Sequence, residues 1–232
     1  MRKTLLIFSL VIVVAMNVNA QNKGGRYGIL IGPTFDWVSS GSAAVNKDDI
    51  KLDFGFNAGL VYDYFLSDHI AVSSGVIVNF LQMKYSFVDY RRVEGFLEET
   101  NVTVKRRQKA TNIEIPVVVK FRFNVQESFV AYLEAGGALD INCKDFGRDD
   151  YGFYWSEPQT LDYVDCTNQY RVILPSLIFG LGGEYEINQK LSMFAQLVFH
   201  HSLSNAFVGS LEEKTGSILR SNFIGLEVGF IH

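Results

Sequence analysis

The chain has 232 residues, with 21 Lys+Arg against 25 Asp+Glu, 14% aromatic residues, 20 Gly and only 4 Pro. A net charge of −4 does not suit a nucleic-acid binder, which carries a basic face, so no nucleic-acid partner is expected. A composition rich in aromatics and Gly and poor in Pro favours β structure with close backbone approaches.

The N-terminus reads as a secretory signal. Arg2 and Lys3 form a basic start, Leu5 to Ala15 is apolar apart from Ser9, and Val18-Asn19-Ala20 offers small residues to a signal peptidase. The apolar run is shorter than the roughly 20 residues of a membrane helix. No Cys follows Ala20, which argues against a lipid-anchored form. Residues 1–20 are therefore expected to be a signal peptide and residues 21–232 one barrel domain. Removing Arg2 and Lys3 leaves 19 basic against 25 acidic residues, a net charge of −6. Beyond the signal no apolar stretch is long enough for a membrane helix. Insertion must then use strands, and those must close on themselves because lipid cannot satisfy an open edge.

From Tyr27 onward the dominant signal is period-two alternation, the mark of strands with two different faces. A first strand spans Tyr27 to Phe35. In the second, Phe54, Phe56, Ala58, Leu60, Tyr62 and Tyr64 alternate with Gly55, Asn57, Gly59 and Asp63. In the third, Val72, Val76, Val78 and Phe80 alternate with Ser73, Gly75 and Asn79. The fourth, Asn112 to Phe123, is the cleanest: odd positions are apolar, and Glu114, Lys120 and Arg122 lie on the even face. The fifth runs from Phe129 to Asp140 with Tyr132, Glu134 and Asp140 on its polar face. The sixth, seventh and eighth run from Ser176 to Glu186, Leu191 to His200 and Ile224 to Phe230.

Long connections (Ser39 to Ile50, Tyr85 to Gln108, Cys143 to Asn168, Asn205 to Gly216) alternate strictly with short ones (Ser67 to His69, Asn124 to Ser128, Ile187 to Lys190). Eight strands with this alternation predict an all-β, antiparallel up-and-down transmembrane β-barrel in an outer membrane. A soluble barrel with its apolar face inward is the alternative. The polar faces argue against it, because they hold Gly28, Gly32, Gly55, Gly59, Gly136, Gly180, Gly182 and Gly229. Gly weakens a water-facing strand, but it makes room inside an eight-stranded barrel.

With the polar faces inward, Glu114, Lys120, Arg122, Glu134, Glu184, Glu186 and Glu227 are expected to form a structural lumen network, joined by Asp63 and Asp140. Unpaired buried carboxylates are costly, so these groups must pair or take up protons. A proton or ion path is the sharper alternative, and a filled interior is preferred because a barrel this small leaves no aqueous channel.

Ile113-Glu114-Ile115-Pro116-Val117-Val118-Val119-Lys120, a Glu-x-Pro strand closing in Lys, resembles the PorT-like family of eight-stranded outer-membrane β-barrel proteins. Gly182-Gly183-Glu184-Tyr185 with the turn Ile187 to Lys190 and Leu191 to Phe199 is similar to that family's penultimate hairpin. Gly225-Leu226-Glu227-Val228-Gly229-Phe230 is similar to its closing strand. The resemblance implies location in the outer membrane of a diderm bacterium. It also implies insertion by the barrel-assembly machinery, and one member is tied to type IX protein secretion. The chain departs from the pattern in its extended second and third long loops and in ending Phe230-Ile231-His232.

Cys143 and Cys166 are the only cysteines and share one long loop in an oxidising compartment, so a disulfide between them is expected. The acids of that loop, with Asp149-Asp150 adjacent, lack the one-on, one-off spacing of a calcium loop and read as a solvated face. The loop Tyr85 to Gln108 carries Arg91, Arg92, Lys105, Arg106 and Arg107. Such clusters can meet the phosphates of lipopolysaccharide; a plain solvated loop is the preferred reading. His200-His201-Ser202 invites an enzyme reading, but no nucleophile, base and orienter are evident. No cofactor or metal is expected. The expected role is a non-enzymatic barrel whose extracellular loops contact an envelope or protein-secretion partner. A small solute or ion conduit, and then an outer-membrane lipid-modifying enzyme or protease, are the alternatives.

Overall fold

A computed structural model describes residues 24–40, 45–92, 99–126, 128–152, 159–188, 190–208 and 218–232. The expected signal peptide, residues 1–20, lies outside the described residues. The elements are β1 (Gly25–Ser40), β2 (Val45–Lys51), β3 (Asp53–Phe65), β4 (Ile70–Arg92), β5 (Glu99–Gln126), β6 (Phe129–Gly152), β7 (Gln159–Asp165), a 3₁₀ turn (Thr167–Gln169), β8 (Ile173–Asn188), β9 (Leu191–Ser202) and β10 (Leu219–Ile231).

Eight of these strands close a ring in the order β4-β3-β1-β10-β9-β8-β6-β5, with β5 pairing back onto β4. Every pairing is antiparallel between chain neighbours in the ring, and β1 meets β10 at the seam. Closure gives each backbone N–H and C=O a partner, which is what lets strands sit in lipid. The two residues past Phe230 belong to the seam. Ile231 pairs with Gly28, and Tyr27 and His232 exchange backbone hydrogen bonds of 3.0 and 2.8 Å.

Alternation places the faces as expected. Tyr27, Phe54, Leu60, Tyr62, Phe121, Leu133, Phe179, Leu181 and Phe230 are exposed, while Asn57, Asp63, Glu114, Glu134 and Glu227 are buried. The exposed apolar band is the surface that meets lipid. Glycines on the inward face admit large neighbours. A Cβ on Gly182 would stand 2.6 Å from the Tyr132 ring and hydroxyl, and one on Gly229 would stand 2.6 Å from the Phe194 ring.

Three of the expected loops hold strands, the first of them β2, which begins at Val45 and pairs with β4. In the second, residues 85–92 and 99–108 ladder β4 against β5 from Tyr85↔Arg106 to Arg92↔Glu99. In the third, residues 143–152 continue β6 and residues 159–165 pair with it as β7. The reason lies in an inversion of hydropathy along an unbroken alternation. In β4 the inward positions Ser73, Gly75, Ile77 and Asn79 give way to Leu81, Met83, Tyr85 and Phe87, all buried. In β5 the outward positions Ile113, Ile115 and Val117 give way to Lys105, Arg107 and Lys109 toward the other end. Inside lipid the apolar face points out; beyond lipid it points in, as in any water-soluble sheet. A charged, mixed stretch therefore reads as loop although its backbone is fully paired.

The inward apolar tops form a cluster of Val38, Leu81, Met83, Tyr85, Phe87, Tyr170, Phe207, Leu219 and Phe223 with their neighbours, which fills the long-loop end of the barrel. A cavity of about 20 Å³ lies against this cluster, beside Met83, Tyr170 and Leu219, and another of about 30 Å³ lies lower, among Leu30, Glu114, Lys120 and Glu227, each about the space of one water.

Gly182→Val should overpack the lumen against Tyr132 and the Ala195 carbonyl, 2.8 Å from the new Cβ. We expect a loss of about 1–3 kcal/mol in urea unfolding from detergent. Gly24→Val, which meets nothing within 4 Å, should be silent. Equal midpoints for the two variants would contradict the packing described.

Candidate functional site

The lumen network assembles most of the residues expected of it. Toward the short-turn end, Glu184 on β8 pairs with Arg26 on β1 and lies 3.1 Å from Arg122 Nη2 on β5. The two guanidinium groups lie 4.7 and 4.8 Å from the centre of the Phe65 ring. One turn of the alternation higher, Lys120 Nζ lies 3.1 Å from Asp63 Oδ1 and 3.9 Å from Glu134 Oε2, and 5.1 Å from the Tyr132 ring centre. Tyr132 donates to Gln196 (2.7 Å), which donates to Glu227 Oε2 (2.7 Å), whose other oxygen accepts from Asn57 (2.6 Å). Above this, Glu114 accepts from Asn79 at 2.7 Å and lies near His200 and Asp140.

One expected member falls outside. Glu186 is exposed, because β8 runs past the barrel rim there, pairing with Ser192 beside the turn to β9. Sequence reasoning in turn left Arg26 and His200 out of the network. Arg26 was missed because it precedes the clean alternation. The inward parity of His200 was visible, but its partners on β5 and β6 are distant in sequence.

The cysteines are free thiols: Cys143 is exposed and Cys166 buried, so the expected bridge is not formed. Register explains it. Asn112 pairs with Asn142 and Thr111 with Lys144, which leaves Cys143 as the extra residue of a β-bulge, facing outward. Cys166 lies on the inner side, with its Sγ 3.3 Å from where a Cβ of Gly147 would stand. Burial, the largest influence on it, pushes the Cys166 thiol up to about 11.

Beyond the apolar band the interior is cross-braced. Arg106 grips Asp149 with two hydrogen bonds of 2.7 and 2.6 Å and donates to Gln169 (2.7 Å) and Tyr170 (3.1 Å). The Tyr85 hydroxyl meets that of Tyr170 at 2.6 Å and donates to Gln108 (3.0 Å), which donates to Asp145 (2.5 Å). Asp145 also accepts from Asn142. Burial pushes the Asp145 carboxyl up from its ordinary value, while Asn142, Gln108 and Arg106 act against that rise. This bracing ties β4, β5 and β6 to the 3₁₀ segment.

The outer side of the same sheet is cationic. Lys84 is directly opposite Arg107, and Arg107 directly opposite Arg148, a row across three adjacent strands. Like charges placed opposite one another destabilise a sheet. Among the described residues the row is only partly balanced: Lys84 meets Asp53 at 3.0 Å and Arg148 meets Asp162 at 3.6 Å. Lys51, Lys84, Lys105, Arg107 and Asp150 line a shallow cavity of about 170 Å³ there.

Residues 19–208 match the model of a family described as outer membrane protein beta-barrel domain. The chain belongs to that family. It is an outer-membrane protein, and the long-loop end is the extracellular one. Solved structures similar to it include neisserial surface protein A (11% identical, covering 90% of this chain and 98% of that one, TM-score 0.45). OprG from Pseudomonas aeruginosa is 13% identical, with coverages of 90% and 95% and a TM-score of 0.42. Ail, the attachment invasion locus protein of Yersinia pestis, is 16% identical, with coverages of 90% and 99% and a TM-score of 0.35. No curated protein matches.

Lys120→Met should leave Asp63 and Glu134 as buried charges without a cation and cost about 3–5 kcal/mol in urea unfolding, with partial recovery in Lys120→Met/Asp63→Asn. A single variant within about 1 kcal/mol of wild type would rule out the pairing as a stabilising element. On intact cells at pH 8, a membrane-impermeant maleimide should label Cys143. Cys166, buried and with little thiolate at that pH, should label only after unfolding. Absence of labelling at both sites until reductant is added would show a bridge instead.

Proposed function

We propose that this barrel is a non-enzymatic surface protein whose extracellular sheet, β2-β4-β5-β6-β7, contacts a protein of the envelope or of a secretion complex. The observation that carries the reading is the contrast between a filled interior and a braced, tall exterior. Cavities of about 30 and 20 Å³ and an apolar cluster at the extracellular mouth leave little for solute passage. Arg106, Asp149, Tyr85 and Tyr170 instead hold the projecting strands in one shape. A preformed sheet binds with less ordering cost than a loose loop.

The cationic row Lys84, Arg107 and Arg148 supports a second contact, with lipopolysaccharide phosphates. Arg107 lies six residues past Ile113, where the apolar face of β5 ends. At about 3.4 Å per residue and a tilt near 40°, that is roughly 15 Å beyond the hydrocarbon. Phosphates there would offset the like-charge row. The Glu-x-Pro strand Ile113 to Lys120 supports the narrower kinship with the PorT-like family, and the closing strand Gly225 to Phe230 is suited to recognition by the barrel-assembly machinery.

The test is affinity capture from detergent-solubilised envelopes, with wild type compared against Arg106→Ala/Asp149→Ala, which loosens the sheet from within. A stoichiometric partner is expected with wild type and several-fold less with the variant. Recovery of the barrel alone in both would count against the docking reading. Planar-bilayer traces should lack stable open levels; regular large steps would favour a conduit.

A further inference from the structure

We propose that Glu114, Asp140 and His200 form a binding site for a divalent transition-metal ion inside the barrel. Glu114 on β5 and Asp140 on β6 are directly paired and share the inward face. His200 reaches them from β9, across β8. Each of the three is 3% exposed. Their ligand-capable atoms all lie within 4.8 Å of one another.

The spacing suits a shared ion. Metal–ligand bonds near 2.1 Å in a tetrahedral site put neighbouring ligand atoms about 3.4 Å apart. His200 Nε2 is 3.1 Å from Asp140 Oδ2 and 3.7 Å from Glu114 Oε2, on either side of that figure. One imidazole and two carboxylates are a donor set for zinc, manganese or iron rather than for a soft, thiolate-seeking ion.

His200 Nε2 meets Asp140 Oδ2 at 3.1 Å, and beyond that contact two buried oxygens of the site, Asp140 Oδ1 and Asn79 Oδ1, have no hydrogen-bond partner. Buried polar atoms are normally satisfied, so this unused capacity suits a bound ion. The ring is also fixed from behind, stacked on Phe223 with centroids 4.5 Å apart and planes 9° apart.

Charge points the same way. Lower in the lumen, Lys120, Arg26 and Arg122 neutralise Asp63, Glu134 and Glu184. Among the described residues, Glu114, Asp140 and Glu227 contact no Lys or Arg; amides of Asn79, Asn57 and Gln196, with His200, face them. A divalent cation supplies the missing positive charge. Asn79 offers a further ligand: its Nδ2 donates to Glu114 while its Oδ1 is unpartnered, and turning the amide over would present that oxygen. His200 Nδ1 lacks the hydrogen-bond acceptor that backs the ligating His in the tightest sites, so moderate affinity is expected. The apolar cluster above seals the lumen, so loading belongs to folding.

The test is to fold the full chain into detergent with and without Zn²⁺, remove free metal by gel filtration, and count zinc by mass spectrometry. About one zinc ion per barrel is expected, with a higher unfolding temperature than the metal-free protein. His200→Ala and Asp140→Asn should hold at least about tenfold less zinc while keeping the heat-dependent gel shift of a folded barrel. Should either fail to fold, Glu114→Gln and folding with Co²⁺ keep the question open to refutation. Wild type should then show the visible absorption of nitrogen- and oxygen-ligated cobalt, and the variant should lose it. Zinc below about 0.1 per wild-type barrel, or equal zinc in folded wild type and His200→Ala, would overturn the proposal.

Discussion

A backbone in hydrocarbon has no water to hydrogen-bond, so every strand must find a partner on both sides. The ring that closes when β5 pairs with β4 and β10 with β1 meets that requirement, and most other features follow from it. Eight strands enclose a space only as wide as side chains, so glycines such as Gly182 and Gly229 must stand beside Tyr132 and Phe194. The outer face must be apolar because lipid touches it, which sends the polar half of each strand into the interior. The ionised groups gathered there must then neutralise one another.

The strands do not stop at the edge of the lipid. β4, β5 and β6 continue with the same alternation while the chemistry of the two faces exchanges places. Tyr85, Phe87 and Phe223 then become a roof over the lumen, and Lys84, Arg107 and Arg148 become an outward cationic row. One backbone ladder thus serves two solvents. The bulge at Cys143 sits near the exchange, where β6 parts from β8 and takes up β7.

That continuity separates the interior into layers. A lower layer pairs carboxylates with Arg26, Arg122 and Lys120, a middle layer holds Glu227, Glu114, Asp140 and His200 among amides, and an apolar layer covers both. A filled, layered interior directs attention to the projecting sheet as the place where another molecule meets this protein.

The eight strands, their faces and the inward placement of Glu114, Lys120, Arg122, Glu134, Glu184 and Glu227 were legible in the sequence, because period-two alternation against lipid is a local rule that each strand obeys alone. The strand β2, the upper parts of β4, β5 and β6, and β7 were not. There the outward residues are charged, and only pairing with a neighbouring strand distinguishes a ladder from a loop. Glu186 shared the right parity but lies beyond the rim, a limit set by where the barrel ends and not by alternation. The exposure of Cys143 depends on one inserted residue, and the meeting of His200 with Asp140 and Glu114 depends on register across three strand pairings. Parity is written residue by residue; partnership across the lumen exists only once the ring has closed.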